Sequence, residues 1–134
     1  LFTQFHQELD QLEVSESADP KAAFEAKIRH IITINVEPKN IILYGSLWSL
    51  AAGDVKVEDA MQVHMAVYVD MICEAVKKVR SDWSQELAFM NATLIVAALE
   101  GLSSTHLVAL ERGIPVENVI EFAVSTVLGF IEVD

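Results

Sequence analysis

In "VEDAMQVHMAVYVDMICEAVKKV", residues 57–79, apolar side chains return every three or four positions. Met61, Met65, Tyr68, Ile72, Val76 and Val79 form one stripe, widened by His64 and Met71. That period is 3.6 and not 2, so the segment must be a helix with one buried face. Its acidic start and its "KKVR" end suit the helix dipole at both termini. The same period governs the rest of the chain, and only three prolines and five glycines interrupt it. "ADPKAAFEAKIRHIITINV" opens on Asp19 as N-cap with Pro20 at the first helical position. Phe24, Ile28, Ile31 and Ile32 follow at helical spacing, so the β-branched run from Ile31 to Val36 continues a helix.

Four further segments complete an all-α reading of about six helices in a single domain, residues 1–134. "LFTQFHQELDQLE" carries Phe2, Phe5, Leu9 and Leu12 at helical spacing, and "VSESADP" links it onward. "PKNIILYGSLWSLAAG" starts at Pro38, with a soft spot expected at Gly45 and Ser46 and a stop at Gly53. Asp82 with Gln85 resembles a capping box for the next helix, which should end at Gly113. "IPVENVIEFAVSTVLGFI" restarts at Pro115, with Val116, Ile120, Ala123, Val127 and Ile131 on one face and Val119, Phe122 and Phe130 beside it.

Within this order one stretch has no wet side. In "LIVAALEGLSSTHLVALERG", residues 94–113, leucine, isoleucine and valine point in nearly every direction. Ala97, Ala98, Gly101, Ser103 and Ser104 stand where charges belong on a surface helix. Apolar residues make up 52% of the chain and the mean hydropathy is +0.35, high for a solvated monomer. No run approaches the roughly 18 consecutive apolar residues of a membrane span, so no membrane contact is expected. The N-terminal residues lack the basic region and cleavage pattern of a signal peptide. The surplus apolar surface should therefore be covered by protein.

Charge and motif content narrow the function. Twenty acidic against nine basic residues give a formal net charge of -11, which repels phosphate and leaves DNA binding without a footing. One cysteine, Cys73, excludes an internal disulfide and suits a reducing cytoplasm; its apolar helical setting is that of a small hydrophobe. The bundle di-iron motif Glu-x-x-His fails at every histidine, because Thr3, Lys27, Met61 and Ser103 precede His6, His30, His64 and His106 by three. No Cys-x-x-Cys, His-Glu-x-x-His, Gly-x-Ser-x-Gly or phosphate-binding glycine loop occurs. No catalytic residue, metal or cofactor is expected, and the chain is not read as an enzyme.

"ATLIVAALEGLSSTHLVALERGIPVENVIEFAVSTVLGFI" resembles the closing helix pair of TetR-like transcriptional repressors, with "AALEGL" where such proteins carry an Ala/Leu-rich segment with a glycine. "ADPKAAFEAKIRHII" resembles the helix that opens their regulatory core. The resemblance runs through most of the chain in order and length. It departs from the family in lacking the N-terminal helix-turn-helix, so the chain would begin inside the helix joining DNA reader to sensor. DNA would then be contacted only through that N-terminal domain.

The resemblance implies a homodimer in which the last two helices of each subunit form a four-helix bundle. Leu94, Ala97, Ala98, Gly101 and Val108 would face the partner from one helix, and Val119, Ile120, Ala123 and Val127 from the other. All-round apolarity, with small residues to permit close approach, suits such a seam. The resemblance also implies a cavity for a small apolar or amphipathic effector. Phe5, Tyr44, Leu47, Trp48, Met61, His64, Met65, Tyr68 and Phe89 are its candidate lining; aromatics supply flat contacts and methionines adapt. The competing reading takes the same stripe as solid core and the chain as a ligand-free helical homodimerisation module.

Overall fold

The structure, a computed structural model, describes residues 7–8 and 19–132. The described residues are all-α: α1 Pro20–Asn35, α2 Pro38–Ala51, α3 Val55–Val79, α4 Gln85–Glu111 and α5 Val116–Glu132. Of the expected N-terminal helix only Gln7 and Glu8 are described, and both are helical; Phe5 lies outside the described residues.

Local chemistry sets most helix boundaries. The Asp19 carboxylate accepts from the Lys21 backbone N–H at 3.1 Å, and Pro20 follows in the first turn of α1. Asp54 caps α3 by accepting from Lys56 N at 2.9 Å and Val57 N at 3.4 Å. That cap starts α3 at Val55, two residues before the position read from the apolar stripe alone. Gly113 adopts φ +83° beyond α4, a left-handed conformation that glycine reaches without Cβ strain.

One local expectation is corrected. The N-cap of α4 is Ser84, whose hydroxyl accepts from Leu87 N at 3.1 Å, not Asp82. Asp82 is taken by Arg80, whose Nε and Nη2 donate to its two carboxylate oxygens at 3.0 and 2.9 Å. The same guanidinium lies 4.6 Å from the Trp83 ring centroid and donates to Ile131 O at 2.9 Å. It therefore pins the α3–α4 turn to the end of α5. At the expected soft spot of Gly45 and Ser46, α2 stays helical, and Ser46 Oγ donates back to Ile42 O at 2.8 Å.

Helix α1 packs on α3, α4 and α5, while α2 lies chiefly on α3. Phe24, Ile28, Ile31 and Ile32 of α1 join Tyr68, Ile72 and Val76 of α3 in one core. Ala88, Ala92, Ile95, Val96 and Leu99 of α4 and Val124, Val127 and Ile131 of α5 complete it. Each large aliphatic side chain buried this fully contributes about 1.5–3 kcal/mol. By length and composition α4 is also apolar enough to cross a membrane; here one of its faces is buried in the bundle core.

The three faces of α4 resolve its missing wet side. One faces the core. A second carries Glu100, Ser103 and Ser104 toward α2. The third, with Leu94, Ala97, Ala98, Gly101 and Val108, is exposed, and beside it on α5 stands Phe122, 75% exposed.

Candidate functional site

Because α2 rests on α3, it stands off from α4 and leaves a pocket of about 270 Å³ between them. Asn35 closes it from the end of α1. Asn40, Ile41, Tyr44, Gly45 and Trp48 form the α2 wall, and Glu100, Ser103 and Ser104 the α4 wall. Tyr44 and Trp48 are four residues apart and so share one helix face. A Cβ built at Gly45 meets no atom within 4 Å, so the space beside this glycine is open.

The polar groups are fixed by bonds to backbone. Asn35 Nδ2 donates to Leu99 O at 2.9 Å, and Asn40 Nδ2 donates to Ile34 O at 3.2 Å. Ser103 Oγ donates to Glu100 O at 2.8 Å and Ser104 Oγ to Gly101 O at 3.2 Å. Among the described lining residues Glu100 is the charged side chain. Burial pushes its carboxyl above the ordinary value of 4.5, and the hydroxyl of Tyr68 partly offsets that rise. Burial likewise raises the Tyr44 hydroxyl, helped by the carboxylates of Glu100 and Glu8. The fully buried Tyr68 hydroxyl is raised well above its ordinary range, first by burial and then by Glu100.

A carboxyl with a raised folded-state value holds its proton more tightly folded than unfolded. Its contribution favours folding at acid pH and is lost as pH rises from 4.5 through the raised value. Glu100→Gln should therefore raise the ligand-free Tm at neutral pH. The gain should shrink as the pH falls below 4.5. Thermal unfolding of both proteins at the two pH values checks this; equal Tm differences at both would contradict it.

The residues chosen by spacing separate into groups. Tyr44 and Trp48 line the pocket. Met61, His64 and Tyr68 are buried on α3, the His64 and Tyr68 rings 5.8 Å apart and tilted at 46°. Met65 is half-buried against the core, and Leu47 is half-buried on α2 outside the pocket lining. Phe89 is exposed on the first turns of α4. Asn35, Asn40, Glu100, Ser103 and Ser104 were not anticipated. Glu100 had a signal, since it is the lone acid inside "LIVAALEGLSS".

A second feature lies where α4 meets α5. Ala98, Leu99, Leu102, Phe122, Ala123, Thr126, Val127 and Phe130 enclose an open apolar groove of about 170 Å³. Of the expected seam residues, Leu94, Ala97, Ala98, Gly101 and Val108 are exposed, Val119, Ile120 and Ala123 are half-buried, and Val127 is buried. Between α1 and α5 the surface is polar instead, with ion pairs Arg29–Glu121 and Lys21–Glu132. These are exposed pairs and add little to stability.

Among the described residues no three His, Cys, Asp or Glu gather as a metal-binding group. His30 Nε2 lies 3.2 Å from Glu8 Oε2 and His106 Nδ1 lies 2.8 Å from Leu102 O, so both of these rings have a partner within the fold. Cys73 is buried, and burial, ahead of nearby Asp70, pushes its thiol up, away from nucleophilic behaviour. No family model, curated protein or solved structure matches the chain.

Proposed function

We propose that this chain is the ligand-sensing and dimerisation domain of a TetR-like repressor, acting in the cytoplasm. One observation carries the reading: α4 presents a pocket on one face and an uncovered apolar strip on another. Glu100 and Ala98 are two positions apart, which at 3.6 residues per turn separates them by about 200° around the helix. A ligand that wedges between α2 and α4 displaces the helix carrying the strip. If two copies pair through that strip, the ligand selects one spacing of the pair over another. It does so only to the extent that it binds one arrangement more tightly. In that family the spacing is read by N-terminal DNA-binding domains; the residues here, at a net charge of -11, contribute none of the phosphate contacts. No reaction is assigned.

The ligand-free dimerisation module is favoured by a different observation, the burial of Met61, His64 and Tyr68. Native mass spectrometry of the chain purified gently from cells separates the two. The sensor reading expects two-chain ions carrying a small molecule that is lost on activation. Two-chain ions without any adduct favour the module, and single-chain ions throughout overturn both.

A further inference from the structure

The walls of the α2–α4 pocket differ in what they can offer a ligand. Both serine hydroxyls have given their single proton to backbone carbonyls, so toward a ligand they have only lone pairs. Asn35 and Asn40 each donate one amide N–H to backbone, and Asn40 also donates to Glu37 Oε2 at 3.4 Å; each brings a side-chain carbonyl oxygen as an acceptor beside the second N–H of the amide. Glu100 adds a carboxylate, and among the described residues no lysine, arginine or histidine lines the pocket. A second carboxylate, Glu8, helps raise the Tyr44 hydroxyl from outside the lining. The π-faces of Tyr44 and Trp48 complete the set, and such faces attract positive charge. The site is rich in acceptors, negative, and aromatic.

We infer that the pocket takes an organic cation, a protonated amine or guanidinium on a short apolar body. An anionic ligand would meet Glu100 with no compensating positive group among the described lining residues. A neutral apolar ligand would leave a part-buried carboxylate with less water and nothing in its place. A cation answers both, since its N–H groups match carboxylate, carbonyl and hydroxyl oxygens as charge-assisted bonds. Volume sets the size: about 270 Å³ admits a single ring with a short chain and excludes large amphiphiles. The inference rests on the sensor reading in taking this pocket as the effector site.

Three probes with one body and different charge test it: 2-phenylethylammonium, 2-phenylethanol and phenylacetate. Binding is measured by titration calorimetry and by tryptophan fluorescence, where Trp48 sits in the pocket wall. The cation should bind about tenfold or more tighter than the alcohol, a margin one charge-assisted bond supplies, and phenylacetate should bind weakest. Glu100→Gln should bring the cation down to the level of the alcohol. Gly45→Leu, which adds a side chain into open space, should abolish binding of all probes while leaving the helical circular dichroism intact. Equal affinity for cation and alcohol, a cation preference that survives Glu100→Gln, tighter phenylacetate, or no binding of any probe would each overturn the inference. Equal affinities would leave the sensor reading standing, because that reading asks only for a ligand and a pair of chains. The native mass spectra decide the sensor reading independently of charge selectivity.

Discussion

Ile95→Ala is expected to cost about 2–5 kcal/mol of folding stability, the range for removing most of a fully buried aliphatic side chain. Its neighbour Leu94→Ala should cost within about 0.5 kcal/mol in the isolated chain, as surface substitutions do. The contrast comes from adjacent positions on one helix: Ile95 is 0% exposed and Leu94 is 65% exposed. Ile95 sits in the core cluster that joins α1, α3, α4 and α5, so the void it leaves loosens contacts to several helices. A domain of this size holds roughly 5–15 kcal/mol in all, so the larger loss takes a substantial fraction of it. Urea unfolding at low protein concentration reads both changes as shifts in midpoint at constant slope. Repeating it at high concentration adds a second reading. If two copies cover Leu94, its substitution becomes costly only where the pair is populated, because association stabilises by mass action. A Leu94→Ala effect as large as that of Ile95→Ala in dilute protein would mean that the exposed face of α4 is misplaced.

The helical class was legible because it depends on short-range periodicity and on caps. Asp19, Pro20 and Gly113 act within a few residues of themselves, and their neighbours contain nothing that competes. Where competition existed the local reading failed. Asp82 and Gln85 have capping-box spacing, but Arg80 is two residues from Asp82 and a guanidinium binds both carboxylate oxygens at once. Gly45 reads as a weak point, yet its cost in a helix interior is only about 1 kcal/mol, too little to break α2 where it lies along α3. The pocket was legible only in half. Tyr44 and Trp48 stand out because they share a helix face, but a helical stripe cannot say whether its residues enclose a void or fill it. Met61, His64 and Tyr68 have the same spacing and are buried. The opposite wall was hidden for another reason: the bond from Asn35 to Leu99 O spans 64 positions, and no local pattern encodes such a meeting. Glu100 alone could have been found, as an acid that an apolar helix would not carry without a use.

If two copies pair through α4 and α5, Phe122→Asp and Gly101→Leu are expected to convert that pair to a monomer of 14.8 kDa without unfolding it. Phe122 is 75% exposed at the lip of the α4–α5 groove, so in one chain an aspartate there remains in water and folding is untouched. Gly101 has no atom within 4 Å of a Cβ built on it, and leucine is the better helix former by roughly 1 kcal/mol. Both substitutions are thus mild for the protomer and severe for a seam along α4 and α5. In a two-fold pair every substitution occurs twice across the same interface. Losing the burial of two phenylalanine rings removes at least about 3 kcal/mol. At 1.4 kcal/mol per factor of ten that weakens pairing about 100-fold or more, before the cost of burying two carboxylates is counted. Sedimentation equilibrium at micromolar concentration, with circular dichroism on the same samples, reads both properties. Dimeric wild type with monomeric, helical variants supports pairing through this face. A monomeric wild type would leave the apolar strip without a second copy to cover it, and dimers that survive both substitutions would move the seam elsewhere. The outer side of α2 and α3, where Ile42, Leu50 and Val63 are exposed, would then be the surface to test. Pairing there would place α2, and with it the pocket wall of Tyr44 and Trp48, directly beside the partner.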